Sequence, residues 1–133
     1  MDRRAPVLAG LFTCALGFAA QAATPDESLF DRLGGTLRVT AIVDTTIDEL
    51  AARPEGDALR ERVADIKADL LARICALSGG GCRYPSKKVA ALPPGNEMLE
   101  ALRMAMRTHG VPLAARNELL EALATQRRDV ARL

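Results

Sequence analysis

The chain has 133 residues, which is enough for one domain, and its 18 basic residues nearly balance its 17 acidic ones. A nucleic-acid-binding domain would show a basic excess or a basic stripe, and neither is present, so we expect no nucleic acid partner. The aromatic residues are only three phenylalanines and one tyrosine, so we expect aliphatic side chains and methionine to fill the core.

Residues 1–22 have the pattern of a secretory signal peptide. A basic start is followed by an apolar run over residues 7–18 and by the small-x-small cleavage site at residues 20–22. The apolar run is too short to span a bilayer. We therefore expect cleavage after Ala22, no membrane span after cleavage, and a folded domain over residues 23–133 that is exported, with the periplasm as the expected compartment.

Helical patterns follow one another along the rest of the chain, and no segment alternates as a half-buried strand does. We predict a short helix capped by Thr24 and ended by Gly34 and Gly35, then helices over residues 37–52, 59–77, 96–109 and 113–131. In the first two helices the side chains expected to point inward are Leu29, Phe30, Leu33, Leu37, Ala41, Ile42, Ile47 and Leu50. The predicted fold class is all-α.

The third predicted helix has the clearest period. Its apolar residues recur every three or four positions and predict one continuous helix of five turns whose apolar stripe faces the core. The residues of this stripe are Leu59, Val63, Ile66, Leu70, Ile74 and Leu77. Asp69 and Arg73 share another face of the same helix, and their spacing predicts an ordinary surface ion pair.

The third helix ends in a glycine-rich corner that contains two cysteines. Residues 79–81 are all glycine, which stops a helix and lets the chain reverse between Cys75 and Cys82. Two cysteines remain after cleavage, and in an oxidising compartment an even number predicts a disulfide. A redox-active dithiol is the alternative, although such pairs usually have two intervening residues. A zinc site would need further ligands, and the single histidine is the distant His109.

Several segments resemble the group I truncated haemoglobins. Residues 28–35 read SLFDRLGG and resemble the first helix of that family, and residues 74–84 resemble the Ile-Cys-x-x-x-Gly-Gly-x-Cys-x-Tyr pattern of an exported branch. Weaker likeness occurs at residues 40–44, 110–112, 117–120 and 128–130. The resemblance implies a truncated-globin-like two-over-two helical sandwich, in which the second and third helices pack against the fourth and fifth.

The resemblance also implies haem and the binding of oxygen or nitric oxide, and these properties depend on particular positions. The position of the family's iron-ligating histidine corresponds to Ala91, which cannot ligate a metal. The distal tyrosine corresponds to Ile47, and two further distal positions correspond to Ile66 and Leu70. None of these side chains can donate a hydrogen bond to a bound ligand. We interpret all four as vestigial haem-pocket positions.

Few other side chains could hold iron. His109 is the fallback ligand, although its positive form would also suit the carbonyl end of the fourth helix, where we expect it. Methionine sulfur is a soft axial ligand, but Met98 and Met106 share a helix face with Leu102 and are predicted to lie in the core. A basic residue that meets a haem propionate in the family could correspond to Lys67 or Lys87.

Together these features favour an exported truncated-globin-like protein that has lost the usual proximal ligand and acts as a binding or interaction module. We expect no enzyme, because no nucleophile lies beside a base and no carboxylate pair has a reason to be held together. Two alternatives remain open. One is a haem-binding truncated haemoglobin with an unusual axial ligand, and the other is a carrier of an apolar small molecule.

Mass spectrometry of the exported protein tests the signal peptide and the disulfide together. Without reductant, the chain should begin at Ala23 and weigh two hydrogens less than its sequence, because Cys75 and Cys82 are bonded to each other. Reduction should restore the two hydrogens. Free thiols at both positions would contradict the disulfide, and an exported chain that retains Met1 would contradict the cleavage.

Overall fold

The computed structural model describes residues 27–83 and 96–131. Over these ranges the regular structure is entirely helical, so the predicted all-α class is confirmed. The helices of the described residues are α1 (Leu29–Arg32), α2 (Gly35–Ala52), α3 (Asp57–Arg60), α4 (Val63–Leu77), α5 (Glu97–Thr108) and α6 (Leu113–Ala131). The predicted signal peptide and the cap at Thr24 lie outside the described residues.

The short helix α1 is capped by Ser28, whose Oγ accepts a hydrogen bond from the Asp31 backbone N at 3.2 Å. The backbone N of Phe30 donates to the carbonyl of Ser78 at 2.8 Å, which ties α1 to the end of α4. The predicted core residues of α1 and its C-terminal cap are all buried: Leu29, Phe30 and Leu33. This small helix is therefore held by both its apolar face and its backbone.

The four longer helices form the two-over-two sandwich that the resemblance implied. The helices α2 and α4 contact each other and form one layer, and α5 and α6 form the other. Across the layers α2 packs on α5, and α4 packs on α6. This arrangement places α2 between α4 and α5, so its wide apolar face lies at the centre of the core.

The buried face of α2 differs in part from the prediction. Its buried residues are Val39, Ile42, Val43, Thr46, Ile47, Leu50 and Ala51. Ile42, Ile47 and Leu50 were predicted to be buried, but Leu37 is 88% exposed, so its predicted inward position was wrong. Leu37 lies two helical turns before Asp44, and both residues fall on the outer side of α2.

The third predicted helix is not continuous, and this prediction was wrong. It divides into α3 and α4 at a turn that contains Glu61 and Arg62. The Arg60 guanidinium donates to the carbonyls of Ala51 and Arg53 at the C-terminal end of α2, and the Arg53 carbonyl also accepts from the Gly56 backbone N. The short α3 is therefore anchored to the end of α2, whereas α4 packs along α2.

The apolar stripe of the divided helix still faces the core along most of its length. Leu59, Ile66, Leu70 and Ile74 are buried, and Val63 and Leu77 are only partly buried. The prediction of a buried stripe is thus confirmed for its central residues. Its last residue, Leu77, comes to the surface of the domain.

The second layer supplies a core of small and flexible apolar side chains. Its buried residues are Met98, Ala101, Leu102, Ala105, Met106, Val111, Ala115, Leu119 and Leu123. Asn96 occupies the N-cap position of α5, as predicted, but its side chain makes no capping hydrogen bond. Of the helices that the structure describes, none is long and apolar enough to cross a membrane.

Paired leucine truncations test this assignment of the core. Leu70→Ala should lower the free energy of unfolding by about 2–4 kcal/mol, because it removes a fully buried side chain and leaves a cavity. Leu37→Ala, the same change on an exposed helix surface, should alter it by no more than about 0.5 kcal/mol. Urea unfolding followed by circular dichroism measures both. Equal losses in the two variants would contradict the burial of Leu70.

Candidate functional site

The structure brings Ile47, Ile66 and Leu70 into the α2–α4 part of the core. Ile47 lies on α2 between Asp44 and Asp48, both of which pair with Lys67 on α4. Ile66 directly precedes Lys67, and Leu70 lies one turn after Ile66. The ion pairs therefore bridge the two helices beside these three apolar side chains.

These three side chains are packed on every side. Ile47 and Leu70 are 0% exposed, and Ile66 is 2% exposed. No void large enough for a water molecule therefore borders Ile47 or Leu70. Both side chains are enclosed by protein atoms, as is usual in a protein core. The fourth predicted position, Ala91, lies outside the described residues.

A buried hydroxyl next to Ile47 was missed by the sequence analysis. Thr46 is 0% exposed, and its Oγ1 donates to the Ile42 carbonyl at 2.7 Å. This back-bonding within α2 satisfies the only hydroxyl proton of the side chain. Thr46 is thus a satisfied core residue, and its position on the buried face of α2 is the pattern that could have revealed it.

His109 lies at the end of α5, as predicted, but away from the other candidate residues. Its backbone N donates to the Ala105 carbonyl at 3.0 Å, and its ring Nε2 is 2.9 Å from Thr45 Oγ1 on α2. Thr45 and Ile47 are two positions apart on α2, which places them about 200° apart around the helix. His109 therefore contacts the opposite flank of α2 from Ile47.

The methionines also lie where the sequence placed them. Met98 is 2% exposed and Met106 is 0% exposed, and both belong to the same apolar core as Leu102. Met104 is 54% exposed on the outer side of α5. The core assignment of Met98 and Met106 is confirmed.

Lys67 is engaged by the protein itself. Its Nζ lies 2.8 Å from Asp48 Oδ1 and 3.4 Å from Asp44 Oδ1. The hydrogen bond to Asp48, with support from Asp44, raises the pKa of Lys67 above its ordinary value of 10.5, although partial burial opposes the rise. Its positive charge is thus matched by two carboxylates on α2.

The Asp69–Arg73 pair is not the ordinary surface pair that its spacing predicted. The Arg73 Nε lies 3.0 Å from Asp69 Oδ2, as the spacing implies. The side chains are only 13% and 9% exposed, however, so the predicted surface location was wrong. Neither of these two atoms has a well-directed hydrogen bond. Helical spacing reports which residues are neighbours on α4, but not what packs over them.

The cysteine corner is closed by the predicted disulfide. Cys75 and Cys82 are bonded, with their Cα atoms 5.5 Å apart. The Gly80 backbone N donates to the Cys75 carbonyl at 2.8 Å. A Cβ on Gly80 would lie 2.7 Å from Cys75 Sγ and 2.9 Å from the Phe30 ring. Glycine is required here because the chain passes too close to the disulfide and to α1 for a side chain.

Metal ligands do not cluster in the described part of the chain. Within residues 27–83 and 96–131, no group of three or more histidine, cysteine, aspartate or glutamate side chains is placed to hold a metal ion. The two aspartates at Lys67 are both paired with that lysine, and both described cysteines are in the disulfide.

The raised pKa of Lys67 predicts how stability depends on pH. A raised folded-state pKa contributes stability that is complete below about pH 10.5 and is lost as the pH rises through the folded-state value. The difference in unfolding free energy between the wild type and Lys67→Met should therefore shrink above about pH 10.5. Urea titrations from about pH 8 to 11.5 measure it.

Lys67→Arg is the matched control for this measurement. Arginine keeps its charge throughout this pH range. The difference in unfolding free energy between Lys67→Arg and Lys67→Met should therefore not fall as the pH rises. If the unfolding free energy of the wild type exceeds that of Lys67→Met by the same amount up to about pH 11.5, the contribution of the Lys67 ion pairs is contradicted.

Comparison with known proteins gives the fold a family context. No protein-family model and no curated protein matches the sequence. Three crystal structures of single-substitution mutants of truncated haemoglobin from Tetrahymena pyriformis, all Fe(III) forms, match this structure with TM-scores of 0.64–0.65. Each is 18% identical in sequence, and the match covers 77% of this chain and 97% of the haemoglobin chain. This globin-like, all-α chain therefore has the fold of the truncated haemoglobins.

Proposed function

We propose that this chain is an exported domain of the truncated-globin fold that works without haem and acts as a binding or interaction module. The observation that carries the proposal is the complete burial of Ile47 and Leu70. In the resemblance to the family, these positions face the distal side of a haem group. Here they contact protein atoms on every side.

Room for a porphyrin is the first requirement, and the described residues do not fit it. Haem is a large, flat group, and the residues that touch it would border an open slot in a protein without it. Ile47, Ile66 and Leu70 border no such slot, since at most 2% of each is accessible. Opening one would separate packed apolar side chains, at a cost of about 25 cal/mol for each Å² of apolar surface exposed.

Iron ligation is the second requirement. His109, the fallback ligand, is hydrogen-bonded to Thr45 on the flank of α2 that faces away from Ile47. Met98 and Met106 are enclosed in the core. Moving any of these sulfur or nitrogen atoms to an iron beside Ile47 would require the core to be repacked.

The buried hydroxyls of the described residues are used by the fold itself. The buried polar residues of the described chain are Thr46 and Ser78. Each hydroxyl donates to a carbonyl one turn earlier in its own helix, at Ile42 and Ile74 respectively. Neither hydroxyl is paired with a base, so neither is activated as a nucleophile.

Export is supported by the disulfide. Disulfides persist in oxidising compartments such as the bacterial periplasm and are rare in the cytosol. The Cys75–Cys82 bond closes a short loop, for which the chain-entropy model gives about 2.5 kcal/mol of stabilisation. Together with the signal-peptide pattern of residues 1–22, this bond favours a periplasmic location.

Haemin titration of the purified exported protein tests the proposal. We expect weak, unsaturated binding at most and no sharp Soret band of a histidine-ligated iron, because among the described residues Ile47, Ile66 and Leu70 border no open slot and His109 is bonded to Thr45. Absorbance between about 350 and 700 nm follows the titration. Myoglobin depleted of haem, titrated in the same way, is the positive control.

His109→Ala identifies the cause if haemin does bind. A tight one-to-one complex that is lost in this variant would show that His109 ligates the iron and that the domain is a haem protein with an unusual ligand. A tight complex that persists in the variant would reject the haem-free proposal equally. If the protein binds an apolar dye tightly but does not bind haemin, the alternative function as a carrier of an apolar small molecule is favoured.

A further inference from the structure

An apolar groove lies on the surface between the last turn of α4 and the outer side of α6. Its volume is about 510 Å³, and it is shallow and mostly open to solvent. The lining residues are Leu77, Glu118, Glu121, Ala122, Thr125 and Gln126. The α6 residues recur at three- and four-residue intervals, so they form one continuous strip along that helix.

Leu77 makes this groove apolar. It is the last residue of the stripe that runs along α4, and it is only partly buried, whereas Leu70 and Ile74 in the same stripe are enclosed. Ala122 lies opposite, and its small side chain leaves the space that a larger residue would fill. The apolar face of α4 thus continues out of the core and into the groove.

The N-terminal half of the groove has an unneutralised negative charge. Glu118 Oε2 is bonded to Arg32 of α1 at 2.7 Å, so this carboxylate is already paired with a guanidinium. Glu121 lies nearly one turn further along the same strip and is exposed. In the part of the chain that the structure describes, Glu121 makes no ion pair or hydrogen bond.

The other half of the groove is different in charge. The Arg128 guanidinium donates to Thr125 Oγ1 at 3.2 Å, which brings a positive charge to the C-terminal half of the groove. Thr125 follows Glu121 by about one helical turn, so the two ends of the groove carry opposite charges. A bound cation would therefore pair with Glu121 at the N-terminal end, and an apolar side chain would contact Leu77 and Ala122.

We propose that this groove docks a protein segment that presents a large apolar side chain next to a lysine or arginine. The apolar side chain lies between Leu77 and Ala122, and the cation pairs with Glu121 as Arg32 pairs with Glu118. A protein segment fits better than a free small molecule, because enclosed sites bury most of a ligand and this groove is mostly open to solvent. This assignment rests on the proposed role as an interaction module and specifies the partner.

The physical chemistry sets what each contact contributes. The apolar contact provides most of the affinity, since an exposed ion pair is worth at most about 1 kcal/mol. The Glu121 pair provides selectivity for basic over acidic segments. Removing the Glu121 charge should therefore weaken binding only about three-fold, and should make it less sensitive to salt.

Peptide titration followed by nuclear magnetic resonance tests the groove. The probe is the end-capped pentapeptide Gly-Arg-Leu-Arg-Gly, added to the ¹⁵N-labelled exported protein up to millimolar concentration. The largest amide shifts should occur at Leu77, Ala122 and Thr125. Two control peptides have the same length. Gly-Glu-Leu-Glu-Gly lacks the cations, and Gly-Arg-Ser-Arg-Gly lacks the apolar side chain, so both should give much smaller shifts.

Three variants separate the groove from the rest of the surface. Glu121→Gln should raise the Kd about three-fold, whereas Glu97→Gln, an exposed carboxylate on α5, should leave it unchanged. Ala122→Phe should abolish the shifts by filling the groove. Circular dichroism is expected to show unchanged helix content in all three variants.

Several results would overturn the proposal. One is that the peptide causes no amide shifts at millimolar concentration, and another is that the shifts map away from α4 and α6. The others are that all three peptides bind equally, or that Ala122→Phe leaves the Kd unchanged. Concentration-dependent shifts in the groove without peptide would identify a second copy of the chain as its occupant and would also overturn it. If these failures occur and haemin does not bind either, only the docking proposal is rejected. A tight haemin complex would instead reject the haem-free role, whatever the groove binds.

Discussion

The burial of one face of α2 against both α4 and α5 is the interaction on which the rest of the structure depends. The two flanks of α2 make different polar contacts with its neighbours. On one side Asp44 and Asp48 bind Lys67 of α4, and on the other Thr45 bonds His109 at the end of α5. Burial supplies most of the free energy, and these polar contacts set which helix lies on which side. The two layers of the sandwich follow from that position of α2.

The cysteine corner provides the second constraint, because it joins the end of α4 to α1 and to the disulfide. The backbone N of Phe30 binds the Ser78 carbonyl, and Gly80 passes over the ring of Phe30 and the sulfur of Cys75. A domain with few aromatic residues has few large side chains to bury in its core. The disulfide and the Phe30–Ser78 backbone hydrogen bond therefore stabilise the part of the domain where α1 meets the end of α4. The same corner positions Leu77 at the surface, where α4 and α6 form the groove.

A fold that commonly encloses a cofactor can also serve as a solid scaffold. In this chain Ile47, Ile66 and Leu70 close the positions at which the family resemblance places the distal side of haem, and they do so with apolar contacts alone. In the proposed haem-free role, the candidate site for recognition lies on the outside of the helices. There Glu121 is unpaired among the described residues, beside the partly exposed Leu77. Similarity at 18% identity shows the fold alone, since function belongs to sites and not to folds.

The sequence by itself determined the helices, the disulfide and most of the core, because these follow from local periodicity and from the number of cysteines. The stripe through Ile66, Leu70 and Ile74, the pairing of Cys75 with Cys82 and the core position of Met106 were all predictable in this way. Only the tertiary structure decided the exposure of Leu37, the turn between α3 and α4, the partial burial of Asp69 and Arg73, and the link between His109 and Thr45. Periodicity defines the faces of one helix, but it carries no information about which neighbour covers each face. That choice depends on the packing of all the helices together.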